Sequence, residues 1–186
     1  MRWNLPNVLT WLRIFAIPLV AGLFYLPYSW ADPAAGLLFA AAAITDSLDG
    51  YFARRMGLTS RLGAFLDPVA DKLIVAVALV LLVSRDAHWV VVIMAAVIIG
   101  REIAISALRE WMAELGQRTK VAVSQIGKYK TILQMVGLSM MLYRKDLLDL
   151  PVYTAGIVLS VLAAGLTLFS MIMYLKAAWP TLSTAD

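Results

Sequence analysis

Apolar residues in this chain come in six long runs cut by short polar segments. The runs cover 7–26, 34–55, 62–84, 89–115, 125–143 and 151–178. Each is about 20 residues or longer, the length a helix needs to cross bilayer hydrocarbon. The segment 27–33 is read as a loop whose aromatic pair, Tyr28 and Trp30, suits a membrane interface. The segment 56–61 is a tight polar connection, 85–88 a short loop, 116–124 a polar linker and 144–150 a charged loop. The fourth run turns amphipathic in its second half. No internal repeat and no low-complexity tract breaks the series. The pattern predicts an all-α, polytopic membrane protein with six transmembrane helices, forming one domain over 1–186.

Composition strengthens this reading. The chain is 62% hydrophobic and only 15% charged, with a mean hydropathy of +0.81. Soluble domains of this length rarely reach such values. The first apolar run lacks a small-residue cleavage site and reads as a retained helix. There is no cysteine, so neither a disulfide nor a thiolate metal site is possible. The net charge of +4 is informative through its placement. All but Arg85, Arg144 and Lys145 of the 16 Lys and Arg fall at or near one set of run ends. That end, with both termini, is expected to be cytoplasmic.

Four aspartates stand out against this oily background. Asp46 and Asp49 are three apart, and Asp67 and Asp71 are four apart, so each pair shares a helix face. The segment from Arg54 to Gly63 lets the two helices run back against each other. Four carboxylates can then converge at the cytoplasmic ends of the second and third helices. Such a cluster near hydrocarbon needs cations, and an all-oxygen set suits hard divalent metals. Asp46 to Gly50 lacks the alternating ligands of an EF-hand loop. Two metals about 3.5–4 Å apart would suit phosphoryl transfer. Gly50 and Gly63 remove side chains where a bulky ligand approaches the backbone. Arg54 is placed to contact a phosphate or stack on a base. Asp71, deepest in the third helix, is the candidate base.

The spacing Asp-x2-Asp-Gly-x2-Ala-Arg-x8-Gly-x3-Asp-x3-Asp, from Asp46 to Asp71, resembles the signature of the CDP-alcohol phosphatidyltransferase family. All eight fixed positions match. The resemblance implies six transmembrane helices, a homodimer, two divalent cations (Mg2+ or Mn2+), a CDP-linked lipid donor and release of CMP. It assigns Asp46, Asp49, Asp67 and Asp71 to metal, Asp71 to the base, and Asp49, Gly50, Ala53, Arg54 and Gly63 to the CDP site.

The acceptor alcohol must be read elsewhere on the same face. Arg101 and Arg109 lie eight apart on the fourth helix, and Lys128 and Lys130 open the fifth. These cations suit the phosphate of an anionic acceptor. Glu102, Glu110 and Glu114 are expected to pair with the neighbouring arginines and orient them. Lipid-headgroup anchoring is the plainer reading for Arg118 and Lys120. Three stretches bring the chain close to the glycerol-phosphate branch of the family: Pro-Asn-Val-Leu-Thr-Trp-Leu-Arg-Ile, Ala-Phe-Leu-Asp-Pro-Val-Ala-Asp-Lys-Leu and the run from Gly100 to Gly116. That likeness, from Asn4 to about Met140, implies CDP-diacylglycerol and glycerol 3-phosphate as substrates, with phosphatidylglycerophosphate and CMP as products. It places the enzyme in the bacterial inner membrane, among membrane lipids and with no nucleic-acid partner. The last helix reads as generic.

Asn7, Thr10 and Arg13 step along the first helix toward the same face. They either border the nucleotide or cap the interface. His88 completes no metal or catalytic set, and Pro68 is expected to bend the third helix. The alternatives are the same transfer to another alcohol (inositol phosphate or phosphatidylglycerol) and a transporter with the acidic cluster as its cation site. A transporter would be expected to show repeated halves with broken helices, and no repeat is present.

Overall fold

In a computed structural model of the chain, residues 5–56, 61–116, 125–147 and 149–182 are described, with side chains over 8–45, 66–116, 129–147 and 149–176 and at 127 and 179. They form six helices: α1 (Leu5–Tyr25), α2 (Ala31–Met56), α3 (Arg61–Arg85), α4 (Trp89–Glu114), α5 (Gln125–Tyr143) and α6 (Val152–Leu182). The non-helical pairing among the described residues is one isolated bridge between Leu147 and Leu150.

The elements follow the hydrophobic runs, with two shifts at their ends. Helix α2 starts at Ala31, inside the expected loop, and carries Pro33 in its first turn. Proline is tolerated there because the first-turn N–H groups have no intrahelical acceptor in any case. Helix α6 runs on to Leu182. Helix α3 continues through Pro68. His88 acts as the N-cap of α4, with φ −60° and ψ 135°, and its Nδ1 accepts from the Val90 N–H at 3.4 Å.

Val20, Phe39, Leu79, Ile98 and Leu138 supply one fully buried core side chain from each of α1 to α5, and Ala164 adds one from α6. A smaller cluster joins Ile105 and Met112 of α4 to Tyr174 of α6. The outside is apolar as well: Leu12, Phe15, Leu19, Val80, Ile93, Ile132, Leu162 and Phe169 are exposed. A surface this oily is untenable in water and ordinary in lipid. Among the described residues, three helical stretches are long and apolar enough to cross a membrane: Val8–Tyr25, Trp89–Glu114 and Val152–Lys176.

Small residues let backbones meet. A Cβ added to Gly137 of α5 would lie 2.9 Å from the Gly156 carbonyl oxygen of α6, and one on Gly36 of α2 would lie 2.6 Å from the Tyr143 backbone. Close backbone approach of this kind drives helix association where lipid removes the hydrophobic effect. The end where α2, α4 and α6 begin is tied by charge. Arg85 Nη1 meets Asp32 Oδ1 at 2.6 Å, and the guanidinium also donates to the Phe24 carbonyl and lies 3.7 Å over the Phe24 ring. Asp86 accepts from the Tyr153 hydroxyl and from the His88 backbone N–H.

Replacing Gly137 with Ala should force α5 and α6 apart at a cost of about 1–3 kcal/mol, read as a lower thermal midpoint in detergent. Gly165, with open space around its Cα, should accept Ala with no loss. The Asp86 link predicts a pH effect. The Tyr153 hydroxyl, then the His88 N–H, hold the Asp86 carboxyl below its ordinary pKa against burial. A depressed carboxylate contributes stability above its unfolded pKa and loses it as pH falls through the folded value. Tyr153→Phe should therefore lower the thermal midpoint at neutral pH, and the gap to wild type should close below about pH 4.

Candidate active site

The third helix presents Asp67 and Asp71 on one face, one turn apart, as the spacing requires. That face meets α1. The Thr10 hydroxyl donates to Asp67 Oδ1, and Arg13 Nη1 meets Asp71 Oδ1 at 2.6 Å. Thr10 and Arg13 are three apart on α1, so the two bonds form successive rungs between the helices. Arg13 is 2% exposed and Asp71 38%. A buried guanidinium without its carboxylate would cost about 3–5 kcal/mol, so the pair fixes the depth of α3 against α1. Of the two readings open for Thr10 and Arg13, the structure gives neither alone. Both hold the aspartates.

Asp71 also lines a cavity of about 240 Å³ between α3, α4 and α5. Pro68, Lys72 and Val75 come from α3, Glu102 from α4, and Lys130, Thr131, Gln134 and Met135 from α5. Lys130 and Gln134 share a face because they are one turn apart. Thr131 and Met135 line a second, apolar groove of about 320 Å³ between α2 and α5, with Ala40, Ala43 and Ile44 on its other wall. The polar cavity and the apolar groove therefore share a border.

The expected acceptor cations separate into two groups. Lys130, 3% exposed, reaches the cavity and binds Glu102 Oε1 at 2.7 Å. The same oxygen takes Arg101 Nη1 at 2.9 Å. Arg101 and Arg109 are absent from the cavity lining. Both turn toward α6. Arg101 donates to Ser170 Oγ at 2.9 Å and Arg109 to the Tyr174 hydroxyl at 3.3 Å. The sixth helix is thus not generic: Ser170 and Tyr174, one turn apart, hold both arginines. Among the described residues Glu102 is the carboxylate ion-paired with both Lys130 and Arg101, one acid against two cations, and Arg109 follows two turns along α4. Glu110 and Glu114 form no ion pair among the described residues, contrary to expectation; both project from exposed positions on α4.

The side chains of Asp46, Asp49, Gly50, Ala53, Arg54, Gly63 and Lys128 lie outside the described residues, although all fall within the helical spans. Among the described residues no group of three metal-ligating side chains comes together. Asp67 and Asp71 fit a divalent cation in chemistry, as hard oxygen donors on one face. Gln134, Ser170 and Tyr174 escaped the sequence reading. Their signal was polar residues one turn from another polar residue inside apolar runs, Lys130 with Gln134 and Ser170 with Tyr174.

The model of the CDP-alcohol phosphatidyltransferase family matches residues 3–179. The chain is 53% identical over 178 residues to the CDP-diacylglycerol–glycerol-3-phosphate 3-phosphatidyltransferase of Escherichia coli strain K12, covering 96% of each chain. The enzymes of the same name from Salmonella typhimurium strain LT2 and Salmonella choleraesuis match over the same share at the same identity. An acidic motif complete in sequence, with its second half seated on α1, thus lies in a chain matched nearly end to end, and this protein belongs to the CDP-alcohol phosphatidyltransferase family.

Proposed function

We propose that this enzyme transfers the phosphatidyl group of CDP-diacylglycerol to glycerol 3-phosphate, releasing phosphatidylglycerophosphate and CMP for phospholipid synthesis. The observation that carries the acceptor is the excess of positive charge around Lys130, Arg101 and Arg109 beside the Asp71 cavity. A buried cationic surplus favours a ligand that brings its own negative charge. The names of the relatives, all glycerol-3-phosphate phosphatidyltransferases, support the same acceptor.

All six helices cross the bacterial inner membrane as a single domain, and the protein works as a homodimer. The gathering of Lys and Arg at the aspartate end supports a site open to the cytoplasm. Asp46, Asp49, Asp67 and Asp71 are the residues that would hold two divalent cations, Mg2+ or Mn2+, which when bound supply charge neutralisation for the donor's diphosphate. Gly50, Ala53, Arg54 and Gly63 border the nucleotide. The apolar groove between α2 and α5 suits the diacylglycerol tails, because it adjoins the polar cavity at Thr131 and Met135.

Arg13 keeps the Asp71 carboxylate aimed, and Asp71 accepts the proton of the acceptor hydroxyl. The freed oxygen forms a bond to the phosphorus that carries diacylglycerol. The bond from that phosphorus to the CMP oxygen breaks, and CMP leaves with the electron pair. Glu102 joins Lys130 to Arg101, and the acceptor's phosphate lies against Lys130 and Lys128, with Arg101 and Arg109 adding positive charge from behind.

CMP release from CDP-diacylglycerol in detergent, with glycerol 3-phosphate added, tests this reading. Asp71→Asn should lower kcat by about 10²–10⁴-fold in a protein that still inserts and folds; near-normal CMP release would remove Asp71 from the base role. Chelation of divalent cations should abolish turnover, and Mg2+ or Mn2+ should restore it; turnover that persists in excess chelator would contradict a metal-dependent transfer.

A further inference from the structure

Among the described residues, Gln134 is the one uncharged hydrogen-bonding side chain on α5 that is both deeply buried and part of the Asp71 cavity. It is 4% exposed, and its Oε1 has no hydrogen-bond partner. Buried amides are normally paired, because an unmet amide loses its bonds to water and gains nothing in return. Ser160 and Thr167 also keep buried hydroxyls without partners, but neither lines this cavity. Of the charged groups that line the cavity with Gln134, Asp71, Glu102 and Lys130 are engaged, and Lys72 stands exposed. Asp71 meets Arg13, and Lys130 meets Glu102. The side chain thus lines a cavity of about 240 Å³ with its Oε1 set in the wall and unpaired.

We infer that Gln134 reads a hydroxyl of the acceptor that neither reacts nor carries phosphate, and so sets specificity for a polyol phosphate. The inference rests on the transfer proposed above and deepens it. Glycerol 3-phosphate has three polar positions. Its phosphate belongs with the cations. Its terminal hydroxyl belongs with Asp71. The middle hydroxyl is then left for a neutral group between them. Gln134 sits one turn from Lys130 on the same face of α5, across the cavity from Asp71 on α3. An amide both donates and accepts, as a hydroxyl does, so the pair satisfies both partners. Water can occupy the position before substrate arrives. An acceptor with a methylene in place of the middle hydroxyl displaces that water and returns no bond. Sites that bind a substrate hydroxyl reject the analogue lacking it for this reason.

The test compares two acceptors with the full-length protein in detergent and CDP-diacylglycerol as donor. One is glycerol 3-phosphate, and the other is 3-hydroxypropyl phosphate, which lacks only the middle hydroxyl. Wild type should favour glycerol 3-phosphate by about tenfold or more in kcat/KM. In Gln134→Leu the preference should collapse toward unity, through loss on glycerol 3-phosphate alone, with KM for CDP-diacylglycerol unchanged. Gln134→Met, closer in shape, should behave alike and serves if the Leu variant does not fold. A wild type without preference overturns the inference irrespective of any variant. So does a folded variant that keeps the wild-type preference, or one that loses both acceptors equally. In each of those outcomes turnover by wild type leaves the transfer reading intact. A wild type that uses neither acceptor overturns the transfer reading itself and this inference with it.

Discussion

The buried pair between Arg13 and Asp71 is the interaction on which the rest of the structure depends. A guanidinium that is 2% exposed needs a partner in place of water, and Asp71 supplies a carboxylate at 2.6 Å. It therefore fixes which face of α3 turns toward α1 and at what height. The Thr10 bond to Asp67, one turn away, sets the rotation. With α3 held this way, Asp71 borders the cavity whose other wall is α5. A phosphoryl-transfer site needs its carboxylates placed before substrate arrives, since positioning carries much of the catalysis. Two polar rungs between α1 and α3 supply that placement at the sequence cost of one Thr and one Arg.

The second polar cluster works in the opposite sense. Glu102 joins Arg101 and Lys130 through one oxygen, and α6 receives Arg101 and Arg109 on Ser170 and Tyr174. The aspartate rungs bring negative charge to the site, and this cluster brings positive charge that Glu102 only partly offsets. The division sets the Asp71 carboxylate on one wall of the cavity and the Lys130 cation on the other, which suits an anionic acceptor. Gly137 against Gly156 matters for the same reason, because the close α5–α6 contact carries Ser170 and Tyr174 toward the arginines.

Much of this was legible in the residues. Six apolar runs announce six helices, and the two aspartate pairs mark a shared face each. What the sequence could not give is which neighbouring helix a polar side chain meets. Arg13 reads in sequence as bordering the nucleotide or capping the interface, and its partner lies 58 residues away. Arg101 and Arg109 share a face by spacing, but periodicity does not say that the face meets α6 and not the cavity. Gln134 is marked in sequence by its one-turn spacing from Lys130, but that spacing does not say what the pair faces. The start of α2 was misjudged because Pro33 reads as a breaker in sequence and as a favoured first-turn residue in a helix.

The central claim is that charge selects the acceptor while the aspartates perform a transfer common to the family. The most direct measurement supplies labelled CDP-diacylglycerol to the purified protein with, in turn, glycerol 3-phosphate, glycerol, serine, inositol phosphate and phosphatidylglycerol. The account predicts labelled lipid product with glycerol 3-phosphate and none with glycerol, which differs only by the missing phosphate. Equal product from glycerol, or no lipid product with any alcohol, would contradict it.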